Sequence, residues 1–141
     1  MIDTVVFDFG GVLIDWDPRH LYRPLITDPD ELEHFLTVVC PHSWHLQHDR
    51  GAPFAETLSE RSAEFPEHAE LIAHWGARYG EMVGGEVPGS AAVVADLRDA
   101  GLRLYGLTNL PAEVWPDVRT AWPITAGFDG VVVSGEERLV K

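Results

Sequence analysis

One cysteine, only ten basic residues against 23 acidic ones, and no apolar run approaching a membrane span are the scarcities of this 141-residue chain. Cys40 stands alone, which excludes an intrachain disulfide, and its apolar neighbours give it the ordinary reading of a structural thiol. A reducing cytoplasm is the expected compartment. The formal charge of -13, with no basic stretch anywhere, excludes a phosphate backbone as partner, so no nucleic acid is expected. The acid excess reads as a solvated surface. An acid, Asp3, and no basic segment precedes the first apolar run, which is too short for a signal peptide or a span, so no membrane is expected. Internal repeats and low-complexity tracts are absent as well. The length suits one domain, or a small core carrying an insertion.

What is present begins with a strand. Val5 to Phe7 is a continuous apolar, β-branched run, as in a strand covered on both faces of a parallel sheet, and the strand is placed near Ile2 to Phe9. It runs into Asp8 and then Gly10-Gly11, which puts a carboxylate at the carboxyl edge of a sheet, where α/β folds hold their chemistry. Asp15-Trp16-Asp17-Pro18 breaks regular structure. From Asp28, a cap, and Pro29, the signals turn helical, with Leu32, Phe35, Leu36 and Val39 on one face until Pro41. A polar, histidine-rich stretch from His42 to Gly51 follows, then helical patterns over Pro53 to Phe65 and His68 to Val83, the latter with Leu71, Ile72, Trp75, Tyr79 and Met82 as a buried stripe. Gly84 to Gly89 reads as a linker. Beyond it come a helix from Ser90, a strand over Leu102 to Leu107 ending at Thr108-Asn109, a helix over Pro111 to Trp122, and a short strand over Gly130 to Ser134. The pattern predicts an α/β fold with a doubly wound parallel sheet, residues 1–15 and 88–141 forming its core and residues 16–87 an inserted helical cap.

The strand ends supply Asp8, then Thr108-Asn109, then Lys141. In identity, order and context these resemble the motifs of the haloacid dehalogenase superfamily of hydrolases, in the branch with a helical cap between the first and second motifs. The resemblance implies a Rossmann-like core, Asp8 as nucleophile, Thr108 as phosphate-binding hydroxyl and Lys141 as the third-motif base. It implies Mg²⁺ as cofactor, held by Asp8 and the backbone carbonyl of Gly10, and Asn109, Gly11, Arg50 and His48 as further contacts to a small-molecule phosphate ester. The chemistry is coherent unaided, since a carboxylate can attack phosphorus while a hydroxyl and an ammonium hold the transferring oxygens.

Two departures stand out. Where the family's phosphatases carry a second aspartate as general acid, this chain has Gly10; losing such an acid costs about 100-fold to 10,000-fold. Asp15, Asp17 or a cap histidine are the substitutes in view. The fourth motif, with the remaining metal ligands, does not occur, so the sequence reads as a truncated family member, by itself inactive and expected to be completed by a second chain or a C-terminal segment. Without that segment the first strand would present an unpaired edge. A homo-oligomer stays open. The expected activity is a phosphatase working through an aspartyl-phosphate; the alternatives are a 2-haloacid dehalogenase using Arg19, Arg23 or Arg50 for the substrate carboxylate, and a non-catalytic binding or regulatory remnant. His42, His45 and His48, spaced by three, are read as cap surface facing the cleft rather than a metal comb, with Trp44, His48 and Arg50 as substrate contacts. Trp75 and Tyr79 read as cap core.

Overall fold

A computed structural model describes the whole chain, Met1–Lys141. In chain order its elements are β1 (Thr4–Phe7), β2 (Ile14–Trp16), α1 (Arg19–Tyr22), α2 (Pro29–His34), α3 (His42–Asp49), α4 (Phe54–Glu64) and α5 (Ala69–Ala77). They continue with β3 (Val83–Glu86), α6 (Ser90–Asp99), β4 (Arg103–Thr108), α7 (Trp115–Ala121), β5 (Gly130–Val133) and α8 (Ser134–Glu137). Strands β1, β4 and β5 form one parallel sheet in that spatial order, with Val6 opposite Tyr105 and Leu107 opposite Val132. All three strand ends therefore meet at one edge. The chain is an α/β protein with a parallel sheet flanked by helices, as the alternation of strand and helix signals predicts.

β1 is shorter than the strand expected over Ile2 to Phe9, because the backbone turns at once after Asp8. The carbonyl of Phe9 accepts from the N–H groups of Val12, Leu13 and Ile14 at 3.1, 2.8 and 3.0 Å, which ends the ladder. Phe9 itself is buried against Trp115 and Phe128, with ring centroids 5.9 and 5.5 Å away. Its ring fills the space above Gly106, where a Cβ would meet it at 2.6 Å, so β4 needs glycine at that position. Leu104, Thr108 and Val133 share this covered face of the sheet.

Residues between β2 and β3 form the helical insertion. Its core is aromatic: Tyr22, Phe35, Trp75 and Ile72 are almost wholly buried, and the Tyr22 hydroxyl donates to the Leu71 carbonyl at 2.9 Å. Asp28 caps α2 as its type suggests, accepting from the Asp30 and Glu31 N–H groups at 2.8 and 3.1 Å. The helix then widens into a π turn over Phe35–Val39 before Pro41 stops it.

Two expectations are corrected. The Gly84–Gly89 stretch is no loose linker: β3 pairs antiparallel with β2, Ile14 opposite Glu86 and Trp16 opposite Val83. Gly84 packs on the His20 ring, which a Cβ there would meet at 2.6 Å, while Gly85 has open space around it and a φ of 148°. The histidine-rich stretch is a regular helix, α3, begun behind Pro41 and buried on the side of His45, His48 and Asp49. Polar composition concealed it, because nothing apolar marks the face it buries.

Candidate active site

At the carboxyl edge of the sheet, the Lys141 Nζ lies 2.8 Å from Asp8 Oδ1 and donates to the Leu107 carbonyl at 2.7 Å. The same Asp8 oxygen accepts from the Phe9 N–H at 2.7 Å, which fixes the carboxylate and leaves Oδ2 the freer atom. Lys141 is held from its backbone too, its N–H donating to Asn109 Oδ1 at 3.1 Å. Thr108 is buried at the end of β4 and lines one groove with Asn109 and Lys141. The structure thus brings together Asp8, Thr108, Asn109 and Lys141, four of the residues singled out in the sequence. A signal that sequence reasoning left unused is that Lys141 is the chain's only lysine.

The other candidates fall elsewhere. Gly11 adopts a positive φ of 73°, and its N–H is engaged by the Ile14 carbonyl at 2.8 Å rather than turned to a ligand. His48 is sealed inside the insertion, its Nε2 2.7 Å from Thr57 Oγ1. Arg50 is exposed at the end of α3. Asp17 caps α1 through the Arg19 N–H at 2.8 Å, and Asp15 pairs with His20 at 2.9 Å.

Two hollows open from the strand ends, and Thr108 with Asn109 lines both. The outer one is a groove of about 440 Å³ bounded also by Glu137 and Lys141. The inner one is a cavity of about 110 Å³ between sheet and insertion, walled by Gly10, Ile14, Trp16, Tyr79 and Val83 and closed by His42, His45 and Asp49 of α3. The lining face of α3 is therefore the spacing 42, 45, 49, not the comb 42, 45, 48. Asp49 was not a sequence candidate, although its place seven residues after His42 puts it on that face.

Burial governs this wall. The Trp75 indole N–H donates to His45 Nδ1 at 3.1 Å, and burial, aided by His48 and His42, pushes the His45 pKa down to about 3. A neutral His45 with its Nδ1 so occupied carries its proton on Nε2, which faces Asp49 Oδ1 at 3.5 Å, too long for a good hydrogen bond. Burial pushes the Asp49 carboxyl up to about 7, and its Oδ1 has no hydrogen-bond partner. The Trp16 indole nitrogen is the other buried side-chain atom left without a partner, with the Tyr79 hydroxyl beside it.

The insertion is seated on the sheet by α3 and its following turn. Gly51, at φ 92°, packs on Gly135 of α8, where a Cβ would meet the Gly135 carbonyl at 2.8 Å. Glu113, just before α7, accepts from the Phe54 N–H at 3.0 Å and so caps α4 from the core side. No set of three or more His, Cys, Asp or Glu side chains is arranged to hold a metal ion.

No family model matches the chain, and no curated protein matches it in sequence. Solved structures do. The HAD family enzyme bt-2542 from Bacteroides thetaiotaomicron superposes with a TM-score of 0.68 at 20% identity, over 99% of this chain and 72% of that one. Its wild-type complex with magnesium and inorganic phosphate gives a TM-score of 0.67 at 19% identity, over 100% of this chain and 73% of that one. A mutant of it with the same two ligands gives 0.69 at 18% identity. At such identity the likeness is one of architecture, and by that architecture the chain has the fold of the HAD, or haloacid dehalogenase, family enzymes along its whole length.

Proposed function

We propose that this chain is a HAD-type hydrolase whose site takes a small phosphate ester and transfers its phosphoryl group to Asp8. The observation that carries the reading is the Asp8–Lys141 pair, 2.8 Å apart where Asp8 follows β1 and Lys141 follows α8, with Thr108 lining the same groove as Lys141. In that arrangement Asp8 Oδ2 attacks phosphorus, the ester P–O bond breaks, and the leaving alkoxide takes its proton from water, since Gly10 supplies no acid; a second water then cleaves the acyl phosphate to free Asp8 and inorganic phosphate. In this reading the Lys141 ammonium and the Thr108 hydroxyl stabilise negative charge on the phosphoryl oxygens. The inserted helices act as a cap that excludes water from the inner cavity.

For Mg²⁺, the chain offers Asp8 Oδ2 and the Gly10 carbonyl, and no third side chain. That donor set fits a magnesium ion held by one carboxylate, waters and the substrate phosphate, the usual mode for this ion beside phosphates. When bound, Mg²⁺ would neutralise phosphoryl charge. The neighbouring enzyme's complex with magnesium and inorganic phosphate supports this reading. Against a 2-haloacid dehalogenase stands Arg19, one of its carboxylate-binding candidates, which is committed to Glu33 at 2.8 Å.

Exposure to beryllofluoride with Mg²⁺, followed by native mass spectrometry, tests the nucleophile without requiring turnover. One adduct is expected on the native chain, none on Asp8→Asn, and about tenfold or greater weakening for Lys141→Met, which removes a charge-assisted contact worth roughly 1.5–3 kcal/mol. Absence of an adduct, or metal-independent chloride release from 2-chloropropionate, overturns the phosphatase reading.

A further inference from the structure

The inner cavity contains an unsolved piece of chemistry. Its walls are mostly apolar, yet two buried polar atoms at it lack partners: Asp49 Oδ1, an acceptor, and the Trp16 indole N–H, a donor. Both flank one ring, for the Trp16 indole stacks on the His45 imidazole at 5.1 Å while Asp49 Oδ1 lies 3.5 Å from His45 Nε2. Asp49 is only 3% exposed. An unpartnered carboxyl so deeply buried is costly unless something fills the gap. No backbone group or cap depends on Asp49, whose one polar neighbour, His45 Nε2, lies beyond good hydrogen-bond distance. The feature instead suits a ligand that brings both a donor and an acceptor.

Resting on the phosphatase reading, we propose that Asp49 and Trp16 recognise a hydroxyl on the leaving group of the ester, making Asp49 the residue that sets specificity for small hydroxylated alkyl phosphates. A hydroxyl satisfies both atoms at once, donating to Asp49 Oδ1 and accepting from the Trp16 N–H. An ammonium would leave Trp16 unpaired, and an alkyl group would leave both. Thr108 and Asn109 line this cavity as well as the outer groove that Lys141 bounds, so the cavity adjoins the strand ends at which the phosphate is proposed to sit. At about 110 Å³ the cavity is smaller than the roughly 150 Å³ that accepts benzene, which admits a short polyol and rejects aromatic esters.

Calorimetric titration of the full chain with Mg²⁺ and inorganic phosphate, glycerol phosphate or propyl phosphate separates the possibilities. The native chain is expected to bind glycerol phosphate at least about tenfold more tightly than propyl phosphate, as for one hydrogen bond to a buried, charge-bearing group. Asp49→Leu and Trp16→Phe should each erase most of that preference while leaving propyl phosphate and inorganic phosphate binding in place. Asp49→Leu should also unfold at no lower urea concentration than the native chain, since its buried Oδ1 makes no hydrogen bond; a purely structural aspartate predicts the opposite. Equal affinity for the two esters, or a preference that survives both substitutions, overturns the assignment while leaving the phosphatase reading intact. Failure to bind even inorganic phosphate overturns that reading and this one together.

Discussion

His45, His48 and Asp49 share one buried volume, and their protonation pulls stability in opposite directions. Burial lowers the histidines from 6.5 to about 3 and about 4, so the stability they contribute is present above pH 6.5 and lost as the pH falls toward those values. Asp49 is raised from 3.8 to about 7, so its neutral form is favoured in the fold, and stability on its account declines as the pH rises from about 4 to about 7. His45 and Tyr79 face it from α3 and the segment before β3, with His42 on the same helix face. Replacing Asp49 by Asn should therefore stabilise the chain by an amount that grows across pH 4 to 7, reaching an order of 1–4 kcal/mol, and vanishes below pH 4. Urea unfolding at half-unit steps checks this; a difference independent of pH contradicts it. The same residues show what a sequence exposes of a site. Asp8 and Thr108 are legible as strand-end residues because apolar runs announce those ends, whereas Lys141 joined them only through the order of motifs that the resemblance supplied. Asp49 is not, because its role depends on which face of α3 turns to the sheet, and α3 has no apolar stripe from which to read that face.

At the scale of elements, the sheet strands and most helices could be read from apolar periodicity, Asp28 and the prolines, all of which act locally. The β2–β3 ribbon could not. Its four-residue β3 contains Gly84 and Gly85, which local propensity assigns to a linker, and only the distant His20 ring and the β2 partner give them a strand's geometry. The seat of α3 on α8 is likewise tertiary. Gly51 has a left-handed φ of 92° and stands against the Gly135 backbone, which cannot yield like the tip of a flexible side chain. Gly51→Ala is expected to cost about 1–3 kcal/mol from strain and displaced backbone together. Because α3 carries the cavity wall, the same substitution should weaken ester binding more than inorganic phosphate binding. Thermal unfolding and calorimetry on the one variant test both halves; an unchanged midpoint would show that the turn relaxes freely.

Across the whole molecule the two sides of the sheet differ. One is covered by Phe9, Trp115 and Val118, whereas the other presents Val6, Leu107 and Val132 at 58%, 39% and 48% exposure. β1 forms the edge, its far side joined to no strand of this chain, and Ile2 just before it is 79% exposed. The superposed enzyme is longer, this chain matching 72% of it. An apolar face beside an open parallel edge is a surface on which chains pair, because unpaired N–H and C=O groups and apolar side chains are satisfied together. The formal charge of -13 opposes such association over distance, but salt screens it within about 8–10 Å. The 141-residue chain should accordingly associate more as salt is added, and sedimentation velocity should show species above its 15.7 kDa mass. The double substitution Val6→Lys and Val132→Lys, on exposed positions of that face, should return it to the monomer mass with its far-ultraviolet dichroism unchanged. A native chain that sediments as a monomer even where salt has screened its charge would show that the apolar face and open edge do not pair chains.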